Sequence, residues 1–161
     1  MTTTAAPTVT RVGHVGVNVT DLDRSVRFYE RVLGLRVVAH SAADAEPGRR
    51  WAFLGRDGRP VVTLWQQARD RFASDRPGLH HLAFQVETMA EVEAVQEVLR
   101  GAAAEFGAEL VHDGVVAHGE GVGSGGVFFT DPDGTRLEVY APSGAEAAPA
   151  PTAGAPTCGF F

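Results

Sequence analysis

Val12-Gly13-His14-Val15-Gly16-Val17-Asn18-Val19 lines up with Leu79-His80-His81-Leu82-Ala83-Phe84-Gln85-Val86, an internal repeat that puts His14 and His81 at equivalent places. Both segments alternate with a period of two, the pattern of a half-buried strand. Val15, Val17 and Val19 share one side, as do Leu82, Phe84 and Val86. His14 then falls on the opposite side with Gly16 and Asn18, and His81 with Ala83 and Gln85. A third segment, Thr135-Arg136-Leu137-Glu138-Val139-Tyr140, sets Leu137 and Val139 on an apolar face and Glu138 on the other. Two imidazoles and one carboxylate are the ligand set of a mononuclear metal site with open positions.

Outward from the first repeat, Thr20-Asp21-Leu22-Asp23 opens a helix, with Thr20 or Asp21 as cap and acidic residues favouring the N-terminal dipole. Leu22, Val26, Tyr29 and Leu33 recur at helical spacing and Gly34 supplies the stop. Strands are expected near 35–40, 50–55 and 60–66, with Arg56-Asp57-Gly58 turning between the last two. After the second repeat, Thr88-Met89-Ala90-Glu91 forms a capping box, and Met89, Val92, Val95 and Leu99 mark a helix running toward Gly107. Strands near 109–112, 126–130 and 135–141 complete the plan. The fold class is α+β: two βαβββ modules that form an open, cupped sheet around the metal site. The expected organisation is an extension at 1–10, modules at 11–67 and 79–141, a linker at 68–78 and an Ala/Pro/Gly-rich tail at 142–161. That tail reads as mobile. Its apolar end, Cys158-Gly159-Phe160-Phe161, either docks on a surface or over the pocket, or is an untidy terminus.

The chain has 161 residues, 44% of them hydrophobic, enough for one domain or two half-domains sharing a core. A single cysteine, Cys158, leaves neither an intramolecular disulfide nor a cysteine-rich zinc site, and suits a reducing cytoplasm. No apolar stretch is long enough for a membrane span, and the first residues have no signal-peptide pattern. A net charge of −6 without a basic cluster argues against nucleic acid as a partner. A cytoplasmic protein with a small-molecule substrate is expected.

These motifs resemble the vicinal oxygen chelate superfamily, which includes glyoxalase I, extradiol dioxygenases, fosfomycin-resistance enzymes and bleomycin-binding proteins. The resemblance covers residues 11 to 141. It rests on His14-Val15-Gly16-Val17-Asn18-Val19, Asp21-Leu22 with Ser25 and Phe28-Tyr29, Val32-Leu33-Gly34-Leu35, Gly78-Leu79-His80-His81-Leu82-Ala83-Phe84 and Asp131-Pro132-Asp133-Gly134-Thr135-Arg136-Leu137-Glu138. It implies one divalent metal held by His14, His81 and Glu138, with the modules paired within one chain or across a homodimer. Glyoxalase I usually adds a glutamate on the last strand of the first module, where this chain has Thr63. The fosfomycin branch normally brings a lysine, and this chain has none. The extradiol branch has a histidine, an aliphatic-tyrosine pair, then Asp-Pro-x-Gly and the glutamate. Here His118, Val127-Phe128 and Asp131-Pro132-Asp133-Gly134 approach that order, with phenylalanine for tyrosine and a slightly longer spacing.

The expected activity is an iron(II) oxygenase acting on a small molecule with vicinal oxygens, aromatic molecules being among the candidates. Zn(II), Mn(II) or Ni(II) in the same site points to a glyoxalase-type lyase or isomerase, and absence of metal to a sequestering protein. His118 reads as a general base or as a solvated loop histidine. His80 should point away from His81 and pack structurally, the alternative being that the two exchange roles, and His40 and His112 read as surface residues. Asn18, Thr63, Trp65, Gln85, Phe128, Arg136 and Tyr140 have pocket-facing parity, Trp65 and Phe128 as an aromatic wall or as filling of the cup. The glycine-rich run from Gly119 to Gly126 leads into a strand and lacks the Lys-Ser/Thr pair, so it is not a phosphate loop. It reads instead as a loop free to move as a lid.

Overall fold

A computed structural model describes residues 11–46, 48–119, 123–150 and 160. The first module holds β1 (Val15–Asn18), α1 (Leu22–Leu33), β2 (Arg36–His40), β3 (Trp51–Arg56) and β4 (Arg59–Trp65). The second holds β5 (Leu82–Gln85), α2 (Met89–Phe106), β6 (Val116–Ala117), β7 (Gly125–Thr130) and β8 (Arg136–Ala141). Each makes a four-stranded sheet, ordered β1-β4-β3-β2 and β5-β8-β7-β6. The repeat is therefore one of topology: each repeated segment is an edge strand paired in parallel with the last strand of its own module.

Local chemistry sets the helix ends. The Asp21 carboxylate accepts the Arg24 amide at 3.0 Å, and Gly34, at φ 64°, returns its N–H to the Glu30 carbonyl. Thr88 and Glu91 close both arms of the capping box on α2. Asp57 and Gly58, at φ 52° and 74°, turn β3 into β4 with the left-handed pair that a tight hairpin requires.

The expected strand near 109–112 is a correction. Leu110 makes one isolated bridge to Phe129, and the chain then bends through His112–Gly114 before β6. Gly114 at φ 120° takes it out of the ladder there, and Val116 and Ala117 pair with β7 instead.

Between the modules, contacts run through the helices and the Asp131–Asp133 turn. Phe28 of α1 meets Phe106 of α2 edge-on at 5.6 Å and Phe129 of β7 at 6.4 Å. The Tyr29 hydroxyl donates to Asp131 at 3.1 Å, and Asp133 accepts from the Thr20 amide at 2.9 Å and the Arg24 guanidinium at 2.7 Å. The apolar core gathers under both helices, with Phe28, Tyr29, Leu54, Val62, Leu64, Val92, Phe129 and Leu137 fully buried. This leaves the polar face of each sheet on the side away from its helix.

Part of the segment expected to be mobile is docked. Ala145 is buried and donates to the Gly123 carbonyl at 2.8 Å, and Ala117 donates to Pro149 at 3.0 Å. A Cβ on Gly125 would lie 2.5 Å from that of Ala145, so part of the glycine-rich run lets this segment approach closely. The stretch 120–122, read as part of a moving lid, and Cys158 lie outside the described residues. Among the described residues no helix is long and apolar enough to cross a membrane.

Candidate metal centre

Glu138 is the centre of the site. It lies on β8 between two neighbours, with Ala83 of β5 as its partner on one side and Phe128 of β7 on the other. The small Ala83 leaves the carboxylate room, and Phe128 walls it from water, so the residue is only 4% exposed. A charge buried to that extent needs a compensating partner. His118 supplies it, with Nε2 2.6 Å from Oε1, and His81 Nε2 lies 3.5 Å from Oε2.

An ionised carboxylate only accepts, so the short contact places a proton on His118 Nε2. His118 Nδ1 meets the Ser124 hydroxyl at 3.0 Å, which fixes the ring plane. The Phe128 and Tyr140 rings lie 6.0 and 5.7 Å from the imidazole. Burial pushes the His81 pKa down, against the upward pull of Glu138, and His80, Arg136 and His118 add to the depression. A neutral His81 keeps a lone pair for a ligand.

His80 departs from the expected parity. Its Nδ1 lies 2.9 Å from Nδ1 of His81, and the rings meet at 5.1 Å. Strand β5 starts only at Leu82, so no pleat imposes alternation on residues 80 and 81.

The residues expected at the site divide between the two sheets. His81, Glu138, Gln85, Phe128, Arg136 and Tyr140 belong to the second, where the Tyr140 hydroxyl donates to Gln85 at 3.0 Å. Asn18, Thr63 and Trp65 belong to the first, where the Trp65 indole donates to Thr63 at 3.1 Å. His14 precedes β1 and is exposed. Within one copy, and among the described residues, no group of three or more His, Cys, Asp or Glu is arranged to hold a metal ion.

Strand register explains the asymmetry of the duplication. Gly16 faces Thr63 in the first module as Ala83 faces Glu138 in the second, so Thr63 occupies the position equivalent to Glu138. One module retains a histidine alone, and the other a histidine with a carboxylate. The donors present, imidazole nitrogen and carboxylate oxygen around a buried charge, fit a divalent first-row metal. Periodicity carries no signal for the His118–Glu138 contact or the Ser124 support. Only the Gly-Ser-Gly after His118 hints that this histidine has a neighbour.

A family model described as the Glyoxalase/Bleomycin resistance protein/Dioxygenase superfamily matches residues 11–139. Catechol-2,3-dioxygenase of Bacillus subtilis (strain 168) is 26% identical over 136 residues, covering 82% of this chain but 41% of that protein. This chain thus spans about two fifths of that relative's length. A glyoxylase/bleomycin resistance protein/dioxygenase domain from Frankia sp. EAN1pec is 27% identical, covers 84% of this chain and 99% of that one, and superposes with a TM-score of 0.66. A mutant of the fosfomycin resistance protein FosX from Listeria monocytogenes, complexed with Mn(II) and 1S,2S-dihydroxypropylphosphonic acid, is 18% identical with a TM-score of 0.62. It covers 84% of this chain and 95% of that one, a likeness of fold.

Proposed function

Because the chain belongs to the Glyoxalase/Bleomycin resistance protein/Dioxygenase superfamily, we propose that it is a mononuclear metal enzyme, an iron(II) oxygenase acting on a small aromatic substrate with vicinal oxygens. The observation that carries this reading is the convergence of His81 and His118 on the buried Glu138. The likeness to catechol-2,3-dioxygenase favours oxygen chemistry over the lyase alternative.

His81 and Glu138 would hold the ion together with His14 of a second copy. Three observations support a second copy as the source. The sheet faces that carry the expected site residues lie away from the helices that join the modules. His14 is exposed. The first sheet also presents Trp51, Phe53 and Trp65, half-buried, with Trp51 and Phe53 centred 4.6 Å apart. That aromatic face suits the open side of a second copy's cup in an isologous dimer.

When bound, the ion supplies Lewis acidity and, as iron(II), redox chemistry toward dioxygen. Glu138 contributes the negative charge of the ligand set, and His81 a neutral nitrogen. His118, which holds its Nε2 proton against Glu138, takes the substrate hydroxyl proton at Nδ1 through the Ser124 hydroxyl, which passes on its own proton as it accepts the substrate's. Phe128 and the neighbouring sheet exclude water from Glu138, strengthening each of these interactions.

Subunit mixing combined with metal analysis tests the reading. His14→Ala and Glu138→Ala should each lose stoichiometric metal alone. After random exchange of the two variants, roughly one site in four should be intact and recover metal. No recovery, with each variant folded, would rule out a shared site. Zinc, nickel or manganese with oxygen-independent turnover would indicate a lyase or isomerase, and no metal uptake at all a sequestering protein.

A further inference from the structure

Phe160 lies far beyond β8 in sequence, yet its ring sits beside the candidate centre. It meets Phe128 at 5.4 Å with an interplanar angle of 88°, and His81 at 5.8 Å with 41°. The Arg136 guanidinium carbon stands 5.2 Å from the ring centroid, over its face. The same ring and Arg136 wall a cavity of about 280 Å³ that also touches Phe72, Val111 and Thr130.

Each contact makes a different demand on what fills the space. An edge-to-face approach to Phe128 uses the positive rim of one ring against the negative face of another. A guanidinium over the ring face is attracted by the aromatic quadrupole, which a saturated ring lacks. A flat aromatic group satisfies both at once, whereas an aliphatic group of equal volume keeps only the apolar burial. His81 contacts this ring and Glu138 alike, so the ring position adjoins the ligand pair.

We propose that His81, Phe128 and Arg136 form an aryl-binding subsite which Phe160 of the chain occupies, so that an aromatic ligand enters by displacing Phe160. This deepens the functional reading above and rests on it for the identity of the aryl group as substrate. The chain's own ring then acts as a competitor that sets a threshold on the affinity of the incoming one. If Phe160 holds the subsite about nine-tenths of the time, it weakens a free aryl ligand about tenfold.

The test uses the full chain after chelator treatment, titrated with N-acetyl-phenylalanine amide and with its cyclohexylalanine counterpart. Binding is followed by the NMR signal of the Arg136 side-chain Nε–H. Phe160→Ala should bind both probes about tenfold more tightly than the unmodified chain, since removing a competitor scales every ligand of that space alike, and each variant that retains Arg136 should bind the phenyl probe more tightly than the cyclohexyl one. Phe160→Leu, which keeps apolar bulk without a ring, should show most of the same gain. Adding Arg136→Ala to Phe160→Ala, read by the His81 ring signals, should abolish the preference for the phenyl probe. Equal affinities with and without Phe160, equal affinities for the two probes, a Phe160→Leu protein that behaves as the unmodified chain, or no binding to any variant would each overturn the proposal. Because the titration is done without metal, failure of the metal-enzyme reading leaves this result legible. Metal retained with no aryl binding would remove the subsite alone.

Discussion

His118 Nε2 stands 2.6 Å from Glu138 Oε1, and His81 Nε2 stands 3.5 Å from the other carboxylate oxygen, Oε2. The carboxylate thus bridges two imidazoles 37 residues apart in the chain, His81 from the start of β5 and His118 from the end of β6. One of them is read as a ligand and the other as the proton-transferring group. His118→Ala should therefore retain stoichiometric metal while turnover falls by about a hundredfold or more. Metal analysis beside steady-state kinetics checks this, and loss of metal in the variant would make His118 a ligand instead.

Thr63 holds the register position of Glu138 in the first module and is buried, with its hydroxyl accepting from Trp65. Thr63→Glu would bury a second carboxylate without a cationic partner. The metal-free chain should lose about 2–3 kcal/mol of stability. Added divalent metal should restore more stability to this variant than to the unmodified chain, because the new carboxylate gains a partner only in the loaded state. Thermal melts with and without metal provide the comparison.

Asp133 joins the modules through the Thr20 amide and hydroxyl and the Arg24 guanidinium. It is only 4% exposed, so its removal strands several donors at once. Asp133→Ala should cost about 2–3 kcal/mol in urea unfolding. Asp133→Asn should cost less, since an amide oxygen still accepts. A loss below a few tenths of a kcal/mol for the alanine variant would mean that the modules are held by the helix packing alone.

Asp131 is buried beneath Tyr29, and burial raises its pKa above the usual 3.8 despite donors from the Asp133 and Thr135 amides and the Tyr29 hydroxyl. Between the ordinary and the raised value, the native state binds more protons than the unfolded state. Stability from this group is fully present below about pH 3.8 and is lost as pH rises through the folded value. Asp131→Asn keeps acceptors for both amides and removes the titration. The difference in stability between the two proteins should shift in favour of the asparagine variant as pH rises through that window. Urea unfolding from pH 3.5 upward, at about half-unit steps, measures it, and a constant difference would contradict the assigned direction.

Elements governed by near neighbours are legible in the order of the residues. Leu22, Val26, Tyr29 and Leu33 mark α1, Asp21 and Gly34 bound it, and Thr88 with Glu91 opens α2, because caps and helical periodicity act over three or four residues. The duplication reaches further, since two copies of one pattern lead to two copies of one topology, with each histidine just ahead of an edge strand. It also marks Glu138 as facing away from Leu137 and Val139, which the pleat enforces.

Tertiary structure decided what alternation does not govern. His80 lies beside His81 because the ladder begins one residue later, and the strand expected near 109–112 shrank to a bridge where Gly114 turned the chain away. The meeting of His118 with Glu138, and of Phe160 with Phe128 and Arg136, depends on loops folding back across a sheet. So does the division of the candidate site into two sheet faces joined through their helices. Sequence by itself determined which side chains had the chemistry and which face of a strand each took. Their neighbours were chosen by long-range packing of buried aromatic surface and by the need of one buried carboxylate for partners, neither of which leaves a local period to read.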